Sequence, residues 1–317
     1  MIKLLLKERI IGGLLGVVVG DALGLPVQFL SRAEVRQQPV TGMTGYGTLP
    51  PGTWSDDSSL TLCLAESLCE VGYDPQDISC RFVRWYRDGY WTPFGRAFDI
   101  GRATSQAMER LIQGVPPLEA GPAGERHNGN GSLMRILPAA LYFANAPVEE
   151  MLAKTCEVSR ITHGHPRSQL ACCIYALMVK ELLAGKDPAT AYEDMRRIKG
   201  QLQRSLLAPE IVSFERVLNG RLIGLPEDEI KSSGYVVDTL EAALWCLLNQ
   251  NDFRHTLLAA VNLGEDTDTV GAVTGGLAGV YYGYREIPPE WLKPLVHRDE
   301  IEGLARRFYQ CIPKLFE

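Results

Sequence analysis

The sequence predicts an all-α protein folded as a single domain over residues 1–317. Three observations lead there. Apolar residues recur at helical spacing in one stretch after another, and no stretch sustains the alternation of a strand. Glycines also fall four apart twice, at 12, 16, 20 and 24 and again at 271, 275, 279 and 283, lining one face of a helix each time. With 317 residues and 46% apolar composition, the chain can bury a substantial core. No low-complexity linker or repeat divides it. A formal charge of −6 argues against a general nucleic-acid or anionic-membrane binder.

At the start, Lys3, Lys7 and Arg9 ahead of the apolar Ile10–Val19 imitate a signal peptide. Glu8 interrupts the basic segment, Gly20-Asp21-Ala22-Leu23-Gly24 is a poor cleavage site, and the run is short for a bilayer. A buried first helix is expected. Glycine inside a helix costs roughly 1 kcal/mol against alanine, so each stripe needs a reason. Close backbone approach is the simplest, and it sets the two striped helices deep in the core, against each other. Residues 38–54, rich in Gly and Pro, read as a loop of the kind that carries function. Helices are expected over 58–70, 76–88 and 95–113, with Asp99 inside the last. A second loop, 114–131, ends in Asn128-Gly129-Asn130-Gly131, and a helix is expected from near Leu133. Pro166 suits a first helical position after Thr162-His163-Gly164-His165. Asp187-Pro188 starts a helix that Gly200 stops. Beyond a loop at 221–234, helices are expected at 236–249, 252–263, 268–284 and 299–312.

Two short stretches concentrate the chemistry. Asp266, Asp268 and Thr269 crowd the first turn ahead of the glycine-rich run Val270–Tyr284, and Ser55, Asp56 and Asp57 do the same before Ser58–Cys69. Either turn alone is an ordinary acidic N-cap. Brought together, they offer only hard oxygen donors, which suit Mg²⁺ or Mn²⁺ and not zinc or copper. The Asn-Gly-Asn-Gly segment can turn N–H groups toward an anion, or simply make tight turns. His163 and His165 read as plain loop histidines on their own residues. The eight cysteines show no metal-binding or disulfide spacing, so reduced thiols in a cytoplasmic protein are expected.

In combination these segments resemble the ADP-ribosylglycohydrolase family, within it the bacterial branch of the dinitrogenase reductase-activating glycohydrolases. The resemblance spans nearly the whole chain. It rests on Gly20-Asp21-Ala22-Leu23-Gly24, Ser55-Asp56-Asp57, Phe98-Asp99-Ile100-Gly101 and Asn128-Gly129-Asn130-Gly131-Ser132-Leu133-Met134-Arg135, then on Thr162-His163, Gly234–Leu240 and Asp266-Thr267-Asp268-Thr269. It implies a compact orthogonal helical domain with two divalent cations, Mg²⁺ or Mn²⁺, in a surface cleft. Matched motif to motif, Ser55, Asp56, Asp57, Asp266, Asp268 and Thr269 are the implied metal ligands. Asn128, Gly129, Asn130, Gly131, Ser132 and Met134 would border the diphosphate and ribose, with Gly101 and His163 along the cleft and Tyr235 on the adenine. Asp21 has a supporting place on the substrate side. Asp99 is the candidate for proton transfer, with Asp56 and Gln28 the other candidate catalytic residues.

The implied activity is metal-dependent removal of ADP-ribose from a protein side chain, arginine foremost, or from a small conjugate. Cleavage at the anomeric carbon builds oxocarbenium character that an anionic site stabilises. One departure favours an alternative: relatives commonly carry glutamate where this chain has Gln28, and an amide cannot serve as a base. A weak or inactive ADP-ribose-binding or structural member is the second reading. A prenyl-diphosphate synthase would want a DDxxD run, which the chain lacks.

Overall fold

The structure, a computed structural model, describes residues 5–202 and 207–313. Lys3 of the basic N-terminal segment lies outside them. The described residues form helices and loops, with two isolated β-bridges, Tyr46 with Leu49 and Gly129 with Tyr235. In chain order the helices are α1 (Leu6–Gly24), α2 (Arg32–Gln37), α3 (Asp56–Glu70), α4 (Pro75–Asp88), α5 (Arg102–Ile112), α6 (Pro117–Ala120) and α7 (Leu137–Tyr142). Then come α8 (Val148–Arg160), α9 (Pro166–Leu183), α10 (Pro188–Arg196), α11 (Lys199–Leu202) and α12 (Glu215–Leu218). The last five are α13 (Val236–Asn249), α14 (Phe253–Val261), α15 (Thr267–Tyr282), α16 (Pro289–Leu292) and α17 (Arg298–Cys311).

The glycine stripes meet as expected. α1 and α15 run antiparallel with Gly12 against Gly279, Gly16 against Gly275, Gly20 against Gly271, and Gly24 against Thr267. A methyl group on Gly12 would lie 2.5 Å from the Gly279 carbonyl oxygen, and the other seam positions are tighter still. Only glycine lets these backbones come so close. At the far end Arg9, buried, donates from Nη1 to the carbonyls of Leu182, Val280 and Tyr281, closing the last turns of α9 and α15. At the near end the Thr267 hydroxyl donates to Gly24 O at 2.8 Å. The seam thus delivers the C-terminus of α1 and the N-terminus of α15 to one place. Leu6–Val27 is long and apolar enough to cross a membrane, so its length does not exclude a span as expected above; in this fold 89% of its most apolar window is packed inside the protein.

Three expected boundaries shift. α5 begins at Arg102, and Asp99 sits before it in a turn with φ +58°. Pro93 and Gly95 break the helical pattern there, and Gly101 is the N-cap. The helix expected from Leu133 begins at Leu137, because Pro138 is tolerated only in a helix's first turn. α10 ends at Arg196, and Gly200 falls inside the separate turn α11. α2 (Arg32–Gln37) is a helix not anticipated, although its capping box, Ser31 with Glu34, is written in the sequence.

Candidate active site

Asp21, in the last turn of α1, is fully buried and binds the start of α3. It accepts from Ser55 N and Ser58 N at 3.0 Å and from the Ser58 hydroxyl at 2.5 Å. Burial outweighs these bonds and raises its carboxyl to about 6. Asp21 therefore buckles one acidic turn to the seam that carries the other. Its place is behind the cavity, as a support.

Ser55 caps α3, accepting from Asp57 N and donating to Asp57 Oδ2 at 3.1 Å. Across the gap, the Thr269 hydroxyl reaches Asp57 Oδ2 at 3.4 Å, so the two acidic turns touch. Asp268 accepts from Thr269 N at 2.9 Å, and Asp266 Oδ2 accepts from the Asn130 amide at 2.6 Å. Asp57 Oδ1 is buried without a partner. None of the ion pairs among the described residues reaches Asp21, Asp56, Asp57, Asp99, Asp266 or Asp268. Burial first, then mutual repulsion, pushes Asp56, Asp57 and Asp268 well above the ordinary carboxylate range. Burial also raises Asp266, against the bonds from Asn130 and Asp268.

Unpaired buried carboxylates are costly unless paired or bound to metal. With Ser55 and Thr269 hydroxyls alongside, the donor set fits a hard divalent cation. Among the described residues, no three His, Cys, Asp or Glu side chains converge as a finished ligand shell. The cause is visible: Asp57, Asp266 and Asp268 each turn an oxygen toward a hydroxyl, amide or N–H of the cluster itself.

These residues floor a cavity of about 390 Å³, within the range of small-molecule sites. Asp56, Asp57, Asp266, Asp268 and Thr269 line it, with Asp99, Gly101 and Gln28. So do Gly129, Asn130, Gly131, Met134 and His163. The loop is held by Val236 N to Asn128 O at 3.0 Å and Asn130 N to Gly234 O at 3.2 Å. Gln28 is 9% exposed, gives Nε2 to the Tyr46 hydroxyl at 3.4 Å, and leaves Oε1 without a partner.

Besides Asp21, three of the residues expected on the substrate side are not brought into the wall. Ser132 is fully buried, and its hydroxyl meets Ser159 at 2.9 Å and Cys172 at 3.5 Å behind the loop. The Asn128 amide turns back to Glu125 O at 2.8 Å. Tyr235 is half-buried beside the cavity, its ring centroid 6.0 Å from the Arg167 guanidinium. The β-bridge between Gly129 and Tyr235 orients all three, and sequence spacing carries no trace of it.

Sequence reasoning missed Arg102 and Arg126 in the wall, both exposed and, among the described residues, neither in an ion pair with an acidic residue. It also missed Phe29 on the rim, 72% exposed with φ +66°. Reciprocal backbone bonds hold Phe29 there, from Phe29 N to Glu265 O at 2.6 Å and from Glu265 N to Leu30 O at 2.7 Å. The cavity is thus electrically divided, with carboxylates on its floor and free guanidinium groups in its wall.

Compared with known proteins, the chain matches the family model described as ADP-ribosylglycohydrolase over residues 3–315. It is 35% identical over 306 residues to the ADP-ribosylarginine hydrolase Tri1 of Serratia proteamaculans (strain 568), covering 96% of this chain and 79% of that protein. It is 33% identical over 304 residues to the ADP-ribosyl-dinitrogen reductase glycohydrolase of Rhodospirillum rubrum, covering 93% and 92%. A solved structure titled as an ADP-ribosylglycohydrolase-related protein complex superimposes with a TM-score of 0.82 at 38% identity, covering 97% of this chain and 99% of that one. With nearly its full length matched in sequence and in fold, the chain belongs to the ADP-ribosylglycohydrolase family and is a glycohydrolase enzyme.

Proposed function

We propose that the protein hydrolyses the glycosidic bond between ADP-ribose and an arginine side chain of a modified protein, using two divalent cations, Mg²⁺ or Mn²⁺. The observation that carries the reading is the divided cavity, with unpaired carboxylates beneath and unpaired arginines beside them. The names of the two relatives, an ADP-ribosylarginine hydrolase and a dinitrogen reductase glycohydrolase, support the choice of substrate. Eight free thiols suit the reducing cytoplasm.

Ser55, Asp56, Asp57, Asp266, Asp268 and Thr269 are the residues that would hold the cations. Bound there, the cations would supply Lewis acidity and lower the pKa of a water. The chain does the rest. Arg102 and Arg126 give charge-assisted hydrogen bonds to the phosphates, and the loop 128–131 lies along them. Hydrolysis forms a bond from water oxygen to the anomeric carbon and breaks the bond from that carbon to the guanidinium nitrogen. The water's proton passes to Asp99, the departing nitrogen leaves as neutral guanidine, and Asp99 returns that proton to it and is ionised again. Gln28, an amide, offers its free Oε1 as an acceptor to the substrate and moves no proton.

The experiment measures free ADP-ribose released from an arginine-ADP-ribosylated protein, with Mg²⁺, with Mn²⁺ and with EDTA. Release with either metal, lost in EDTA and in Asp266→Ala, is the expected outcome. ADP-ribose binding without release, with activity gained in Gln28→Glu, would instead mark a binding protein descended from an enzyme. Neither binding nor release would sink the substrate assignment.

A further inference from the structure

Arg135 is fully buried, beyond the cavity wall. Its Nη2 donates to Val158 O at 3.1 Å and to the Thr162 hydroxyl at 2.7 Å, while Nε and Nη1 have no partner. The guanidinium lies 4.7 Å over the Phe82 ring and meets no carboxylate among the described residues. Burial lowers it to about 10, so it keeps its charge at neutral pH. A buried, half-satisfied cation is an expensive way to fill space, and an apolar side chain of similar volume would be equally stable or more so. What the charge does is visible one bond further on. The Thr162 hydroxyl, itself fully buried, stands 2.9 Å from His163 Nδ1.

A hydroxyl has one proton to give. Thr162 Oγ1 already accepts from Arg135, and the only acceptor in its reach among the described residues is His163 Nδ1. Were Nδ1 protonated, the hydroxyl would accept twice and strand its own buried proton. A charged donor behind it also polarises the hydroxyl toward giving. His163 is neutral, held down to about 3 by burial first and then by the neighbouring Arg135 and His127. A neutral ring has a single N–H, and with Nδ1 accepting, it is Nε2 that carries it.

We infer that Arg135 and Thr162 are positioning residues that fix the tautomer of His163, so that the cavity wall presents an Nε2–H donor. Nε2 makes no hydrogen bond among the described residues, and it stands beside the phosphate-side loop: a methyl on Gly131 would lie 3.2 Å from it and one on Gly129 3.7 Å. The group that fits is an oxygen acceptor, a phosphate or ribose oxygen of the bound ADP-ribosyl unit, a point that rests on the function proposed above. His163 is then neither a base nor a metal ligand at this nitrogen, since its lone pair there is replaced by a proton.

The test is a long-range ¹H–¹⁵N spectrum of histidine-labelled protein, read beside KM, kcat and ADP-ribose affinity. The parent should show His163 with an unprotonated Nδ1 and a protonated Nε2. Thr162→Val keeps the shape and removes the relay. It should mix the tautomers, raise KM and the Kd for ADP-ribose about tenfold, the ~1.4 kcal/mol of one hydrogen bond, and leave kcat within about twofold. Thr162→Ser should restore all of these. Arg135→Met should weaken binding in the same way without lowering the melting temperature, an outcome that a purely structural arginine could not produce. A parent spectrum with Nδ1–H, or unchanged tautomer and affinity in Thr162→Val, would overturn the inference. A parent that binds no ADP-ribose refutes the proposed substrate instead, and the spectrum still decides the tautomer.

Discussion

Replacing Gly20 by alanine asks whether the glycine seam sets the site. The added methyl would collide with the Gly271 carbonyl and come within 3.0 Å of Ala272 N, all of it helix backbone that no rotamer change can move. Relief requires the two helices to part locally by about 1 Å, toward ordinary contact distance. Overpacking of this kind costs about 1–3 kcal/mol. Alanine's better helix propensity returns only about 1 kcal/mol. For two rigid backbones the upper end of the cost applies, leaving about 2 kcal/mol net, or roughly 4 °C in melting temperature for a domain of this size. Activity should suffer more, because Asp21 is the next residue and its carboxylate orients the first turn of α3. A displacement near 1 Å there would lower kcat about 10²-fold. Calorimetry and the ADP-ribose release assay give the two readings, with Gly200→Ala as control, where an added methyl meets nothing within 4 Å. Gly20→Ala matching that control in stability and rate would refute the reasoning.

The pH dependence of the metal-free protein has a definite sign. Burial raises Asp21 from 3.8 to about 6, so the folded state binds the proton more tightly than the unfolded one. Its stabilising effect is complete below about pH 4 and lost as pH rises through 6, an amount of order 3 kcal/mol. Asp56, Asp57 and Asp268 carry the decline higher. Cations need the ionised carboxylates, so the gap in melting temperature between Mn²⁺-loaded and EDTA-treated protein should widen from pH 5 to pH 8; a gap that narrows contradicts the acidic centre. Asp57→Asn should raise the melting temperature in EDTA while removing the response to Mn²⁺. Arg102→Ala and Arg126→Ala should each weaken ADP-ribose binding about tenfold by titration calorimetry, with a flatter salt dependence and no change for adenosine. Equal loss for adenosine would deny the arginines their phosphate role.

Much of this was legible in the chain. The glycine spacing foretold the α1–α15 contact, because only a close backbone approach rewards glycine at every fourth position. The acidic turns were legible because oxygen side chains at a helix start are rare in such density. What escaped was set by contacts distant in sequence. Asp99 kept helical spacing but sits in a positive-φ turn. The Ser132 hydroxyl looked like a loop ligand, yet the bridge from Gly129 to Tyr235 turns it into the core. Exposed arginines such as Arg102 and Arg126 obey no periodicity, so nothing local separates a wall residue from a solvated one. Pro138 and the Ser31–Glu34 box, by contrast, were local signals passed over.

The seam also has a history within each molecule's synthesis. Gly20 and Gly271 lie about 250 residues apart, so at roughly 5–20 residues per second α1 waits about 12 to 50 s for its mate to be made. Through that interval a stretch with the length and composition of a membrane span lacks the helix its glycine face is cut to fit. Fragments ending before Thr267 should therefore accumulate as chaperone-held or aggregated chains, not as half-built enzymes. The geometry that makes the finished site rigid makes the newborn α1 dependent on a helix made about 250 residues later.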